Sequence, residues 1–180
     1  MVSAFAAPAV HTELPLLISF VDLSRFRVDS ERVNDRELAT LVDELYTRIS
    51  AKIVGAGGAV VKFIGDAALI VFPEQRVDAG VLALLELQEE TDAWLGEKGW
   101  DSRLIVKAHF GTAVAGPFGP REHARHDVIG SAVNLAATLP ARAFALSAQA
   151  FRKLSPEMRR RFMKHTPPIT YIPVGSRRPR

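Results

Sequence analysis

The sequence contains no cysteine, so neither disulfide staples nor thiolate chemistry belongs to this chain. It has no apolar run near the roughly 18–20 residues of a membrane-spanning helix. The small, apolar stretch from Met1 to Val10 has no basic residue of the kind that opens a secretory signal. These absences predict a soluble, cytoplasmic protein with no membrane partner. A Walker-type glycine loop ending in Lys-Ser or Lys-Thr is also missing, which excludes a P-loop nucleotidase. Gly55, Gly57 and Gly58 follow a helical pattern and precede a strand-like one, whereas dinucleotide sites need the reverse order. They read as a helix stop and a turn. Excess charge of one sign is small, at +3. It collects late, at Arg152, Lys153, Arg159, Arg160, Arg161 and Lys164, then Arg177, Arg178 and Arg180. No aromatic stacking series or helix-turn-helix pattern accompanies it, so no nucleic-acid partner is expected. His109, His123 and His126 match no zinc spacing.

What is present is enough apolar material, 48% of 180 residues, to close one core. The expected division is a flexible segment over 1–13, a single domain over 14–175 and a basic tail over 176–180. A short apolar run at 14–21 predicts a buried strand. Leu38, Leu41, Val42, Leu45, Ile49 and Ile53 recur every three or four residues and predict a helix over 35–54. Segments 59–61 and 68–72 read as a hairpin with Gly65 and Asp66 at its turn, ended by Pro73. A second helix is expected over 78–94 and a strand over 104–110. That strand extends through 112–115 before the Gly116-Pro117-Phe118-Gly119-Pro120 run breaks it. A short helix at 133–139, a strand at 144–147, a helix at 148–153, a turn opened by Pro156 and Glu157, and a strand at 169–174 complete the series. Pro173 predicts that this last strand lies at a sheet edge. Helices packed on one mainly antiparallel sheet satisfy that order.

Two acidic strand-to-loop junctions stand out, Phe20-Val21-Asp22-Leu23-Ser24-Arg25-Phe26 and Lys62-Phe63-Ile64-Gly65-Asp66. Taken singly, Asp22 and Asp66 read as caps or turn formers. If their strands are neighbours, both carboxylates reach one rim of the sheet, an all-oxygen setting that suits Mg²⁺ better than zinc. The backbone N–H groups of Leu23, Ser24, Arg25 and Phe26 are candidates to receive phosphate oxygens. Lys62 reads equally as a surface strand lysine or a functional one. Asn134 sits in a short apolar helix, where asparagine is a poor helix former and needs a polar role.

Together these segments resemble the catalytic domain of the class III nucleotide cyclases, from about residue 16 to 174. The likeness rests on four ordered stretches: the Asp22 junction, Gly58 to Ala67, Gly111-Thr112-Ala113-Val114-Ala115-Gly116, and Asp127-Val128-Ile129-Gly130-Ser131-Ala132-Val133-Asn134-Leu135-Ala136. The resemblance implies an α+β, ferredoxin-like domain with a mainly antiparallel central sheet flanked by helices. It implies a head-to-tail homodimer with nucleoside triphosphate sites at the interface and two Mg²⁺ or Mn²⁺ ions per site. By the same resemblance Asp22 and Asp66 hold the metals, Lys62 and Asp127 recognise adenine, and Asn134 orients the ribose and reacting phosphate. Leu23, Ser24 and Phe26 then lie along the triphosphate, with Lys164 a further basic candidate. Two positions depart from the family pattern. Thr138 replaces an arginine that bonds phosphate in the transition state, a donor whose loss costs about 3–4 kcal/mol; Arg142 and Arg27 are the candidate substitutes. Arg25 replaces a glycine. The leading expectation is conversion of ATP to cyclic AMP. The alternatives are a pyrimidine nucleotide (UTP or CTP) cyclase of antiphage signalling and a catalytically weak cyclase-homology module. No regulatory partner is legible.

Overall fold

The structure is a computed structural model and describes residues 7–176. The first six residues and the arginines of the basic tail lie outside that range. Eight strands form one sheet in the order β2-β3-β1-β4-β6-β8-β7, with β5 pairing to β4. The strands are β1 (Thr12–Ser24), β2 (Ala59–Ile64), β3 (Ala67–Pro73), β4 (Arg103–Phe118), β5 (Arg125–Ile129), β6 (Phe144–Leu146), β7 (Phe162–His165) and β8 (Thr170–Pro173). The helices are α1 (Phe26–Ser30), α2 (Asp35–Gly55), α3 (Val77–Glu97), α4 (Ser131–Thr138), α5 (Ala148–Lys153) and α6 (Pro156–Arg159). All pairings are antiparallel except β4 with β6.

The strand period of two sorts residues onto two faces. Leu17, Val21 and Leu23 of β1 meet Val106, Ala108 and Phe110 of β4 and the apolar stripes of α2 and α3 in the larger core. Leu16 and Ile18 meet Ala113, Ala115 and the buried face of α4 in a smaller one. Helix α2 begins at a capping box, since Asn34 Oδ1 accepts from the Glu37 amide at 3.0 Å while Glu37 Oε2 accepts from the Asn34 amide at 3.3 Å. Leu41, Leu45, Ile49 and Ile53 then bury along one stripe. The glycines after it have separate reasons. Gly57 takes the left-handed φ of 83° that ends the helix. Gly58 lies against Phe72, where an added Cβ would come within 2.5 Å of the ring.

Several sequence expectations are corrected. β1 starts at Thr12, inside the segment expected to be flexible. β4 does not break at Gly116-Pro117 but runs on to Phe118. Its pairing with β1 ends at Ala115, so the N–H that Pro117 lacks costs no bond on that side. Its other side pairs with β5, a strand rich in charge and therefore without an alternating signal. β8 is not the edge, because β7 lies outside it. Pro173 is tolerated because β8 meets β6 only at Tyr171 opposite Leu146. Helix α1 and strand β7 carry too short a pattern to be read from sequence.

Asp29 ties α1 to the start of β4. Its buried carboxylate accepts from the Ser102 amide at 2.8 Å and hydroxyl at 2.7 Å, with Arg32 at 3.1 Å. Burial alone would raise its pKa; the Ser102 bonds and then Arg32 outweigh burial and hold it below the ordinary 3.8. A carboxyl held low stabilises the fold above its unfolded value and loses that contribution as pH falls through the folded one. Asp29→Ala is expected to cost about 2–3 kcal/mol in urea unfolding at neutral pH. The gap between wild type and variant should close below about pH 4; a gap that stays constant into acid would refute the assignment.

Candidate active site

Asp22 follows Ile18 and Phe20 on the α4 side of β1, two residues before the strand ends. Asp66 projects from the tight β2–β3 turn, where Gly65 adopts the left-handed φ of 61°. Antiparallel pairing of β1 with β3 sets Val21 against Ala68 and so brings the two junctions side by side. Asp66 Oδ2 accepts from the Leu23 amide at 3.1 Å, a bond from hairpin turn to strand end. Asp22 Oδ1 is buried and has no hydrogen-bond partner. Burial raises the Asp22 pKa, Lys107 pulls it down and Asp66 pushes it up further. The turn is also gripped from the helix side: Tyr46 of α2 donates to the Gly65 carbonyl at 2.6 Å and stacks on Phe63 at 3.7 Å.

Lys62 and Asp127 meet as an ion pair at 2.6 Å between β2 and β5, with side chains 43% and 24% exposed. That exposure leaves them reachable and makes the pair a small contributor to stability. Asp127 Oδ1 also accepts from the Val128 amide at 2.8 Å, which fixes the carboxylate. Asn134 is exposed on α4. Thr138, one turn later, donates its hydroxyl to the Asn134 carbonyl at 2.8 Å, so its side chain folds back on its own helix.

The loop after Asp22 divides its tasks. Leu23 lies in the larger core, and its amide is taken by Asp66. Phe26 packs toward Trp100 at 6.0 Å. Ser24 Oγ accepts from the Arg103 amide at 3.0 Å. Arg25 holds φ 60° and ψ 11°, the left-handed region that favours glycine. Such a conformation costs a side-chain-bearing residue about 1–2 kcal/mol. Of the two candidate arginines, Arg27 is on the exposed face of α1 in an ion pair with Glu31 at 3.2 Å. Arg142 lines a cavity of ≈ 710 Å³ shared with Lys164, His165 and Ile172.

Two residues near the carboxylates escaped the sequence reading. Tyr46 was hidden in an ordinary amphipathic helix. Lys107 carried a signal, since it interrupts the otherwise apolar strand around Ile105 and His109. In the structure it stands opposite Phe20 and reaches the Ala137 carbonyl at 3.5 Å. His109 is a core histidine, bonded through Nδ1 to Ser147 at 3.0 Å, and burial lowers its pKa.

The chain has relatives among known proteins. The chain is 30% identical over 151 residues to "Adenylate cyclase 2" of Rhizobium meliloti (strain 1021), an alignment covering 76% of this chain and 41% of that protein. Its fold superposes on the adenylyl cyclase CyaB from P. aeruginosa with a TM-score of 0.81 and 19% identity, covering 94% of this chain and 98% of that one. The chain is homologous to class III adenylate/guanylate cyclase catalytic domains. The guanylyl cyclase Cya2 matches the same fold, with a TM-score of 0.76, 18% identity and coverage of 89% and 91%. No protein-family model matches. The chain spans less than half the length of the curated relatives it matches, which include proteins from Anabaena cylindrica and Homo sapiens. The α+β cyclase fold expected from the motifs is the fold observed, with β1, the β2–β3 hairpin, β4, β5 and α4 carrying the motif residues.

The donor set at Asp22 and Asp66 fits a hard divalent cation. Two adjacent carboxylates, one with an unpartnered buried oxygen, suit Mg²⁺ or Mn²⁺, which draw their remaining ligands from phosphate and water. Without a cation, ionised Asp22 is costlier in the folded chain than in the unfolded one. A raised folded pKa means stability that declines as pH rises through it. Asp22→Asn is therefore expected to raise the melting temperature at pH 7–8 in chelator-treated buffer. The gain should vanish below the ordinary 3.8, where both states are protonated; an unchanged or lower melting temperature at neutral pH would contradict it.

Proposed function

We propose that this chain is a metal-dependent cyclase that converts ATP to 3′,5′-cyclic AMP and pyrophosphate as a head-to-tail homodimer. The observation that carries this reading is the bond from the Leu23 amide to Asp66, which fixes one carboxylate beside the unpartnered oxygen of the other. Two Mg²⁺ or Mn²⁺ ions held by Asp22 and Asp66 would make the 3′-hydroxyl more acidic and neutralise triphosphate charge. The 3′-oxygen then attacks the α-phosphorus in line. The bond from that phosphorus to the bridging oxygen breaks, pyrophosphate takes the electron pair, and the hydroxyl proton passes to solvent. The chain's own contribution is position and charge, with no covalent intermediate.

Adenine is favoured over other bases by Lys62 and Asp127, a reachable donor and acceptor held at 2.6 Å. They would read the base bound to the partner's carboxylates, with Asn134 on the ribose. The matched curated relatives carry adenylate cyclase names. A second reading, a weakly active nucleotide-binding module, draws support from Thr138 folded back on α4 and from the strained Arg25. The discriminating experiment incubates the purified chain with Mn²⁺ and each of ATP, GTP, CTP and UTP, with product separated chromatographically. Cyclic AMP should dominate, and Asp66→Asn should reduce it by about a hundredfold or more. Dominant cyclic UMP or CMP would overturn the base assignment. Silence with all four nucleotides, in protein shown by sedimentation to be dimeric, would leave the module reading.

A further inference from the structure

Lys107 is a charged residue in an apolar strand. It is partly buried on the side of β4 that faces α4 and the Asp22 carboxylate. The register sets it against Phe20, with Asp22 against Ile105 one pair further along the same face. Taking an ammonium group partly out of water is unfavourable unless acceptors replace the solvent. Here its three N–H donors find one acceptor, the Ala137 carbonyl, at the long distance of 3.5 Å. It forms no ion pair among the described residues. The ammonium thus sits between a carboxylate that the fold leaves unpartnered on one oxygen and the carbonyl end of α4, with donor capacity to spare. Both neighbours are negative, by full charge at Asp22 and by the helix dipole at Ala137. A polyphosphate entering between them would be repelled without a cation there. The adjacent Thr138 supplies none, since its hydroxyl is uncharged and its one donor is turned onto the Asn134 carbonyl.

We propose that Lys107 is a phosphate-binding residue of this site, the cation on β4 that meets the oxygens of the reacting polyphosphate next to the end of α4. Its part is to hold and neutralise charge that grows as pyrophosphate leaves. The proposal rests on the cyclase reading above for the reaction, but the phosphate contact itself does not depend on which base is bound. It also explains how the chain manages with threonine at 138: the positive charge comes from the neighbouring strand.

The test compares wild type with Lys107→Met, Lys107→Gln, Lys107→Arg and the double variant Lys107→Met/Thr138→Arg, each checked by thermal melting. Two readouts are taken: kcat and KM for the nucleotide that wild type turns over, and calorimetric binding of inorganic tripolyphosphate in Ca²⁺ buffer. Lys107→Met and Lys107→Gln should each lower kcat by about a hundredfold and weaken tripolyphosphate binding by about tenfold or more. Lys107→Arg should keep most of both, and the double variant should regain at least about tenfold in kcat over Lys107→Met by placing a cation one residue beyond Ala137. A residue that only braced α4 would change melting but not tripolyphosphate affinity. Wild-type kcat and wild-type tripolyphosphate affinity in the neutral variants would overturn the proposal while leaving the cyclase reading intact. A wild type that cyclises nothing, yet binds tripolyphosphate through Lys107, would overturn the cyclase reading instead. A wild type that does neither overturns both.

Discussion

The site depends on one hydrogen bond, from the Leu23 amide to Asp66 across the gap between a strand end and a hairpin turn. Without it, Asp66 would be a solvated turn residue and Asp22 a costly carboxylate in a half-buried position. With it, two negative groups are held together by a protein that gives one of their oxygens no partner. Like charges at short range are tolerated only where something else balances them, and the nearby Lys107 does part of that work. The Tyr46 bond to Gly65 braces the same turn from the opposite side of the sheet. The hairpin is thus clamped from α2 and from β1, which keeps the carboxylate geometry set before any ligand arrives.

The two-sided sheet explains how such strain is carried. One face is committed to stability, with α2 and α3 covering Leu17, Val21, Leu104 and Val106. The other is only partly covered, by the small and apolar α4, and carries Asp22, Phe20, Lys107 and His109. Burying Asp22 and Lys107 on the first face would cost charge desolvation with no gain. Arg25 extends the same division along the chain, a left-handed residue at the mouth of the site held by the bonds of α1 and the Asp29 clamp behind it.

How much of this was legible in the sequence follows from how local each signal is. Helix α2 announced itself through a stripe of apolar residues, and α5 was legible over the span it occupies, Ala148–Lys153; the capping box of α2 came with the structure. The Asp22 and Asp66 junctions were legible as acidic residues ending apolar runs. Their adjacency was not, because it comes from the β1–β3 register, a pairing between distant segments. The continuation of β4 past Pro117 and the interior position of β8 were hidden for a related reason. A proline excludes a strand only where its missing N–H is needed, and that depends on which neighbours pair at that residue. Lys107 was visible as a lysine in an apolar strand, but its relation to α4 needed the fold. Thr138 reads from sequence as an uncharged replacement for arginine, whereas the bond from its hydroxyl to the Asn134 carbonyl needed the fold.

The central claim is that Asp22 and Asp66 form one cation-binding unit whose geometry the Leu23 amide sets. Its most direct test is an equilibrium titration of Mn²⁺ into the chelator-treated protein with a non-cyclising ATP analogue, following the electron paramagnetic resonance signal of free Mn²⁺. The wild-type chain should withdraw Mn²⁺ from solution, and Asp22→Asn and Asp66→Asn should each abolish this. Undiminished Mn²⁺ binding in either variant, with the fold intact, would contradict it.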